Sequence, residues 1–142
     1  MFSSGKDDWE TPPDLFNALH AEFGFTLDLA ANATNHKVPL WIGPGSVIAE
    51  DLLKYEIPDD EVCWMNPPYS RVQAQFVRAA TLYVTVRRGI VVALLPARTD
   101  TRSFHSDIWD LATRKPRPWV REVRFLKGRV RFVGAPASAP FP

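Results

Sequence analysis

The residues best suited to chemistry lie together in Cys63-Trp64-Met65-Asn66-Pro67-Pro68-Tyr69-Ser70. Val62 to Met65 read as a brief buried strand. Asn-Pro-Pro must end it, because two prolines remove two ladder donors and fix two φ angles. The resulting loop is rigid and sits at the carboxyl end of a strand, where open α/β sheets bind their ligands. It directs two acceptors into space, the Asn66 side-chain oxygen and the Pro67 carbonyl. Such a loop fits methyl transfer to an amine held in a plane, either the exocyclic amine of a base or a carboxamide. That amine is a poor nucleophile because its lone pair is delocalised. Two acceptors holding both of its hydrogens favour a more tetrahedral nitrogen and aim the lone pair at an incoming methyl group. Tyr69 adds a ring face on which an extruded base could stack. The plainer alternative for the same residues is a Pro-Pro turn with an aromatic packed behind it.

The elements that must position this loop follow from spacing. Thr11-Pro12 with Asp14 predicts a helix start: a cap, a proline at the first position and a carboxylate in the first turn. Leu15, Phe16, Leu19 and Phe23 then share one face, and Gly24 can end the helix. Phe25 to Ala30 predicts a first strand, with Asp28 inside it needing a partner for its carboxylate. Residues 32–50 are irregular, broken by Pro39, Gly43, Pro44 and Gly45, with a short strand expected over Val38 to Ile42. After Tyr69, Ser70 can cap a helix to about Val86. Gly89 to Leu95 is continuous and branched, as a buried parallel strand should be, so Pro96 to Asp100 leave it at the edge shared with the Asn66 loop. A helix over about Thr101 to Leu111 follows, with Phe104, Ile108 and Leu111 inward. Val120 to Leu126 and Arg129 to Val133 alternate around Lys127-Gly128 and predict a hairpin, with Val123, Phe125, Val130 and Phe132 inward and Arg124, Arg129 and Arg131 outward.

Composition sets the outer bounds. A chain of 142 residues, 46% apolar, is one domain with a core. No apolar run approaches the ~20 residues of a membrane span, and no signal sequence stands at the N-terminus, so a soluble cytoplasmic protein is expected. One cysteine rules out an internal disulfide and a cysteine-cluster metal site. Residues 1–70 hold three Lys/Arg and twelve Asp/Glu, while residues 71–142 hold fourteen and four, for net charges of −9 and +10. The basic half suits a phosphate backbone, with Arg98 and the outward arginines Arg124, Arg129 and Arg131 as candidates. Alternatively, the two halves neutralise one another in the fold. His20, His36 and His105 share no metal-ligand spacing, and no metal is expected. Cys63, in an apolar strand, reads as core rather than as a nucleophile. Residues 114–119, Arg-Lys-Pro-Arg-Pro-Trp, form a basic loop suited either to phosphate and base contact or to nothing beyond solvent.

Asn-Pro-Pro-Tyr resembles the catalytic motif of S-adenosylmethionine-dependent amino-methyltransferases, including enzymes that act on protein glutamine and ribosomal RNA. The wider chain resembles the phage-type DNA N-6-adenine methyltransferase (Dam) family. The shared stretches are Asp8-Trp9-Glu10-Thr11-Pro12, Phe23 to Ala31, the motif, Leu94 to Thr101, and Phe125 to Arg129 with Ser138 to Pro142. The resemblance implies a Rossmann-like α/β fold, mostly parallel with a C-terminal antiparallel hairpin, and no separate target-recognition domain. It implies methyl transfer from S-adenosylmethionine to the N6 amine of adenine in double-stranded DNA, by a monomer in a bacterial host carrying the phage or prophage. Asn66 and Pro67 would hold the amine, Pro68 stiffen the loop and Tyr69 stack on the base. Trp9, Thr11, Asp28, Ala30 and Asp51 would line the cofactor site, although the glycine-rich loop of many relatives is replaced by Asp28-Leu29-Ala30-Ala31-Asn32. The family pattern continues past Ser-Ala-Pro-Phe-Pro into a further strand, so the last strand of the sheet is expected to be missing. A protein glutamine methyltransferase, and a nucleic-acid-binding relative that has lost catalysis, are the alternatives.

Overall fold

The computed structural model describes residues 10–130, 132 and 133. Trp9, Arg131 and the proline-rich end lie outside the described residues. Helix α1 (Pro13–Phe23) begins at two consecutive prolines and carries Asp14 in its first turn, where the positive end of the helix dipole favours an acid. Gly24, at φ 68°, closes it with an N–H bond to the His20 carbonyl. Thr11 is not the expected cap. Pro12 holds that position, and the Thr11 hydroxyl is engaged elsewhere.

Three parallel strands follow, β1 (Leu27–Asp28), β2 (Glu61–Met65) and β3 (Gly89–Ala93), in the order β1-β2-β3. The middle strand carries the Asn66 loop. Its apolar run Val62 to Met65 matches a strand covered on both faces, and Cys63, Trp64 and Met65 are buried. Burial also pushes the Cys63 thiol up to about 12, so it is core and not a nucleophile. Residues 40–42 lie along the far side of β1 through a parallel bridge between Asp28 and Trp41, which accounts for the short strand expected there. Helix α2 (Gln73–Val86) turns Phe76, Val77, Ala80 and Tyr83 into the core beneath the sheet. On the opposite side, Phe16 of α1 meets Trp64 edge-on at 5.4 Å, with Phe25 beside both.

The C-terminal third departs from expectation. Helix α3 spans only Arg102–Asp107, capped by the Thr101 hydroxyl, which accepts the Phe104 N–H at 3.2 Å. The chain then enters β4 (Trp109–Asp110), which pairs antiparallel with β5 (Lys115–Pro116). Leu111 consequently lies exposed in the connecting turn instead of facing inward. Residues 120–130 form no strand, so the antiparallel hairpin sits at 109–116 and not at the predicted 120–133. Arg124 fastens this segment to α1: its Nη1 donates to Glu22 at 2.7 Å, and its guanidinium lies over the Phe23 ring at 5.4 Å. Phe125, expected inward, is 76% exposed, whereas Phe132 is buried. Among the described residues β3 has no strand on its outer side.

Candidate active site

The Asn66 loop leaves β2 at the carboxyl edge of the sheet. Pro67 and Pro68 are fully buried, so their fixed φ angles are reinforced by packing. The Asn66 side chain donates from Nδ2 to the Thr11 hydroxyl at 2.9 Å. Tyr69 is 8% exposed, meets Phe132 edge-on at 5.8 Å and donates its hydroxyl to the Leu94 carbonyl at 3.3 Å. Burial pushes its phenol well above the usual range, and the nearby Arg98 charge opposes the rise. Arg98 follows β3, where its N–H bonds the Pro96 carbonyl at 2.8 Å. A cavity of about 550 Å³ opens beside Tyr69 between β3 and residues 119–130, with Leu94, Pro96 and Phe132 in its walls.

The loop after β1 leaves the neighbouring strand at the same level. Leu27 pairs with Cys63 and Asp28 with Trp64, and the Leu29 N–H bonds the Trp64 carbonyl, so Ala30 and Asn66 emerge side by side. Asp28 is 2% exposed. Its Oδ1 accepts the Ala30 N–H at 3.2 Å and its Oδ2 the Lys37 N–H at 3.0 Å, which closes residues 28–37 into one structure. Burial pushes the Asp28 carboxyl up to about 6, against those two hydrogen bonds and the charges of His36 and Lys37. The glycine missing from this loop is supplied from outside. Gly43 packs so closely that a Cβ there would stand 1.7 Å from the Ala31 carbonyl oxygen. The sequence shows Gly43 only as a breaker, and no local signal reveals this contact. Asp51 follows the turn that carries the Ala49 carbonyl back to the Gly43 N–H, and it caps a single 3-10 turn by accepting the Leu53 N–H at 2.9 Å.

The raised Asp28 value has a measurable consequence. Between pH ~4 and ~6 the folded chain holds a proton here that the unfolded chain has released, so this group's contribution to stability falls as pH rises through that window and is level above it. A gap of about two pH units corresponds to ~3 kcal/mol. The urea stability of wild type minus that of Asp28→Asn should therefore decline by this order between pH 4 and pH 6.5. A difference that stays constant over that range would refute it.

The remaining suspects have partners within the fold. His20 accepts the Phe25 N–H and stacks between Phe16 and Phe25. His36 stacks on Trp41. Trp119 donates its indole N–H to the Asp107 carbonyl at 2.7 Å and Arg117 bonds the His105 carbonyl, so the 114–119 loop is pinned to α3. The acidic and basic halves meet through Arg87–Glu56, Arg88–Asp60 and Arg124–Glu22 pairs, a partial mutual neutralisation. Arg124, expected to face phosphate, is committed to Glu22 and Glu122. Arg129 is exposed, as are Arg71, Arg121 and Lys127. Among the described residues, no group of three or more His, Cys, Asp or Glu is placed to hold a metal, and no helix is long and apolar enough to cross a membrane.

The Asn-Pro-Pro-Tyr loop and the loop after β1 thus leave the same edge of a small parallel sheet. The chain belongs to the DNA N-6-adenine-methyltransferase (Dam) family, whose model matches residues 1–140. It is an enzyme that methylates the N6 amine of adenine in DNA, which decides between the acceptors the motif alone left open. No curated protein and no solved structure matches the chain.

Proposed function

We propose that the chain is a Rossmann-like, S-adenosylmethionine-dependent enzyme that holds its donor over the loop after β1 and the target adenine at the Asn66 loop. The observation that carries this reading is the common register of β1 and β2. Adjacent strands run roughly 4.8 Å apart, so groups seated over Ala30 and over Asn66 are close enough to react. The donor set suits S-adenosylmethionine. The Asp28 carboxylate ties the loop through two backbone N–H groups, Ala30 and Ala31 let the backbone come close, and Asp51 adds an acceptor for ribose or base. Trp9 completes this side by resemblance. When bound, S-adenosylmethionine supplies a methyl group on a positively charged sulfur.

Asn66 Oδ1 and the Pro67 carbonyl hold the two amine hydrogens of adenine and free the nitrogen lone pair from the ring. Pro68 keeps both acceptors fixed, so no reorganisation is needed at the moment of transfer. Neither acceptor is a strong base, and the proton lost from nitrogen passes to water. The base must leave the helix to reach this loop. Tyr69 receives it once Phe132 gives way, and the adjoining cavity has room for a purine. Arg98, Arg129 and Arg131 meet the phosphates of the duplex, and the exposed Arg71 and Arg121 add positive charge.

Calorimetric titration with S-adenosylmethionine, followed by addition of an adenine-containing duplex, tests the whole reading. Binding near one donor per chain and appearance of N6-methyladenine in the duplex are expected. A folded sample that binds no donor, or that methylates a glutamine peptide and not the duplex, overturns it.

A further inference from the structure

Thr11 stands in a segment expected to cover the cofactor, yet its hydroxyl meets the other half of the site. The residue is 1% exposed and caps no helix. Its Oγ1 lies 2.9 Å from Asn66 Nδ2, across 55 positions of the chain. A carboxamide has two ends of opposite sense: the oxygen only accepts and the nitrogen only donates. An amine substrate brings hydrogens. If the Asn66 amide were turned by half a revolution, donor would face donor and the amine could not be held. A threonine hydroxyl can donate or accept, so the substrate sets the sense: with the amine hydrogens on Oδ1, Nδ2 is the end left for Thr11, and the Nδ2–Thr11 bond of the structure holds the carboxamide that way round.

Thr11 is itself braced. The carboxylate of Glu10 takes Lys37 Nζ at 3.1 Å, and the Lys37 side chain is only 12% exposed. The peptide N–H of the same lysine bonds Asp28 Oδ2. On its other side, the Glu10 carbonyl accepts the Val133 N–H at 3.0 Å. Pro12 then restricts the backbone of Thr11 itself. Glu10-Thr11 is thus tied to the loop after β1, to the chain at Val133 and to the catalytic loop.

We infer that Thr11 is a positioning residue for methyl transfer: its hydroxyl holds the Asn66 carboxamide in the orientation that accepts the substrate amine, and the Glu10–Lys37 ion pair braces it against the loop after β1. This role rests on the reading of Asn66 as the residue that holds the amine. It stands beside the cofactor contact that resemblance implied for Thr11.

Thr11→Val keeps the shape and removes the hydroxyl, while Thr11→Ser keeps the hydroxyl and removes a methyl group. Both are compared with wild type and with Asn66→Ala for kcat at saturating donor and duplex, for the Kd of S-adenosylmethionine, and for Tm. Thr11→Val should lower kcat about 30-fold, the scale of a misplaced catalytic group, with the donor Kd within about twofold. Thr11→Ser should keep kcat within about threefold of wild type, because kcat follows the hydroxyl, whatever the lost methyl does to Tm. Adding Thr11→Val to Asn66→Ala should cost nothing more. A Thr11→Val enzyme with unchanged kcat, a loss confined to donor Kd, or a Thr11→Ser enzyme as slow as Thr11→Val each overturns the assignment. If Asn66→Ala is itself active, the reading beneath it has failed as well; if only Thr11→Val is active, the positioning role alone has failed. Should Thr11→Val not fold, Lys37→Met releases Glu10 without touching Asn66 and should lower kcat about fivefold; unchanged kcat would overturn the inference.

Discussion

Asn66→Ala should lower kcat by about 10² to 10³-fold, the effect of deleting one preorganised hydrogen-bonding group from a transition state, while leaving the Kd of S-adenosylmethionine nearly unchanged. The carboxamide is the larger of two acceptors for the substrate amine and the only one that a side-chain change can remove. Pro67 and Pro68 are buried and stay in place, so the loop survives the change. Losing the bond to Thr11 leaves a buried hydroxyl to find another partner, at a cost of ~1 kcal/mol, which a folded domain tolerates. The loss should therefore appear in kcat, with Tm lowered by only a few degrees and donor affinity nearly unchanged. Asn66→Asp keeps an acceptor oxygen but gives up the Nδ2 donor and adds charge, so its activity should lie between wild type and Asn66→Ala. Single-turnover methylation of an adenine duplex at saturating donor separates these outcomes. An Asn66→Ala enzyme retaining a tenth or more of wild-type kcat would mean that the amine is held elsewhere.

The Asn66 loop was legible in the sequence because its logic is local: a branched and aromatic run, then two prolines that can only end it. Helices α1 and α2 were legible for a related reason, since apolar spacing records which face is buried. Strand β3 was legible as a parallel strand but not in its burial: residues 89–93 are half-buried or exposed, because β3 is the edge of the described sheet. The same signal misled at Val120 to Leu126. Alternation there records side-chain faces, but a strand also needs a partner to receive its hydrogen bonds, and among the described residues this segment has a helix instead, through Arg124 and Glu22. Contacts between distant segments left no local trace. Thr11 next to proline reads as a cap, and only the fold shows that its hydroxyl meets Asn66. Lys37 carries no signal of its own in an irregular stretch, and only the fold ties it to both Glu10 and Asp28.

Gly43→Ala should be the most damaging single substitution outside the catalytic loop. At φ 152° the residue lies where side chains are rarely accommodated, and its added Cβ would stand 1.7 Å from the Ala31 carbonyl oxygen and 2.8 Å from the Ala31 carbonyl carbon. Both atoms are backbone, so no rotamer change relieves the contact. Either the loop after β1 or the chain at 42–43 must move. That motion opposes the Ala31 N–H bond to the Ile42 carbonyl and the Gly43 N–H bond to the Ala49 carbonyl, both 3.0 Å. Overpacking and backbone strain each cost of order 1–3 kcal/mol, and their combined effect should lower Tm by about 10 °C. Gly45 provides the control. It also has a left-handed φ, 88°, yet its Cβ would meet only the Trp41 ring edge at 4.0 Å, so Gly45→Ala should show the strain without the collision and about half the loss or less. The two variants also bear on the donor site, because the displaced atoms belong to Ala31, next to Ala30. Gly43→Ala should weaken S-adenosylmethionine binding about tenfold or more, as a shift of a close-fitting loop does, and Gly45→Ala should leave it nearly unchanged. Equal effects on donor Kd would show that Gly43 holds the fold but has no part in shaping the cofactor loop.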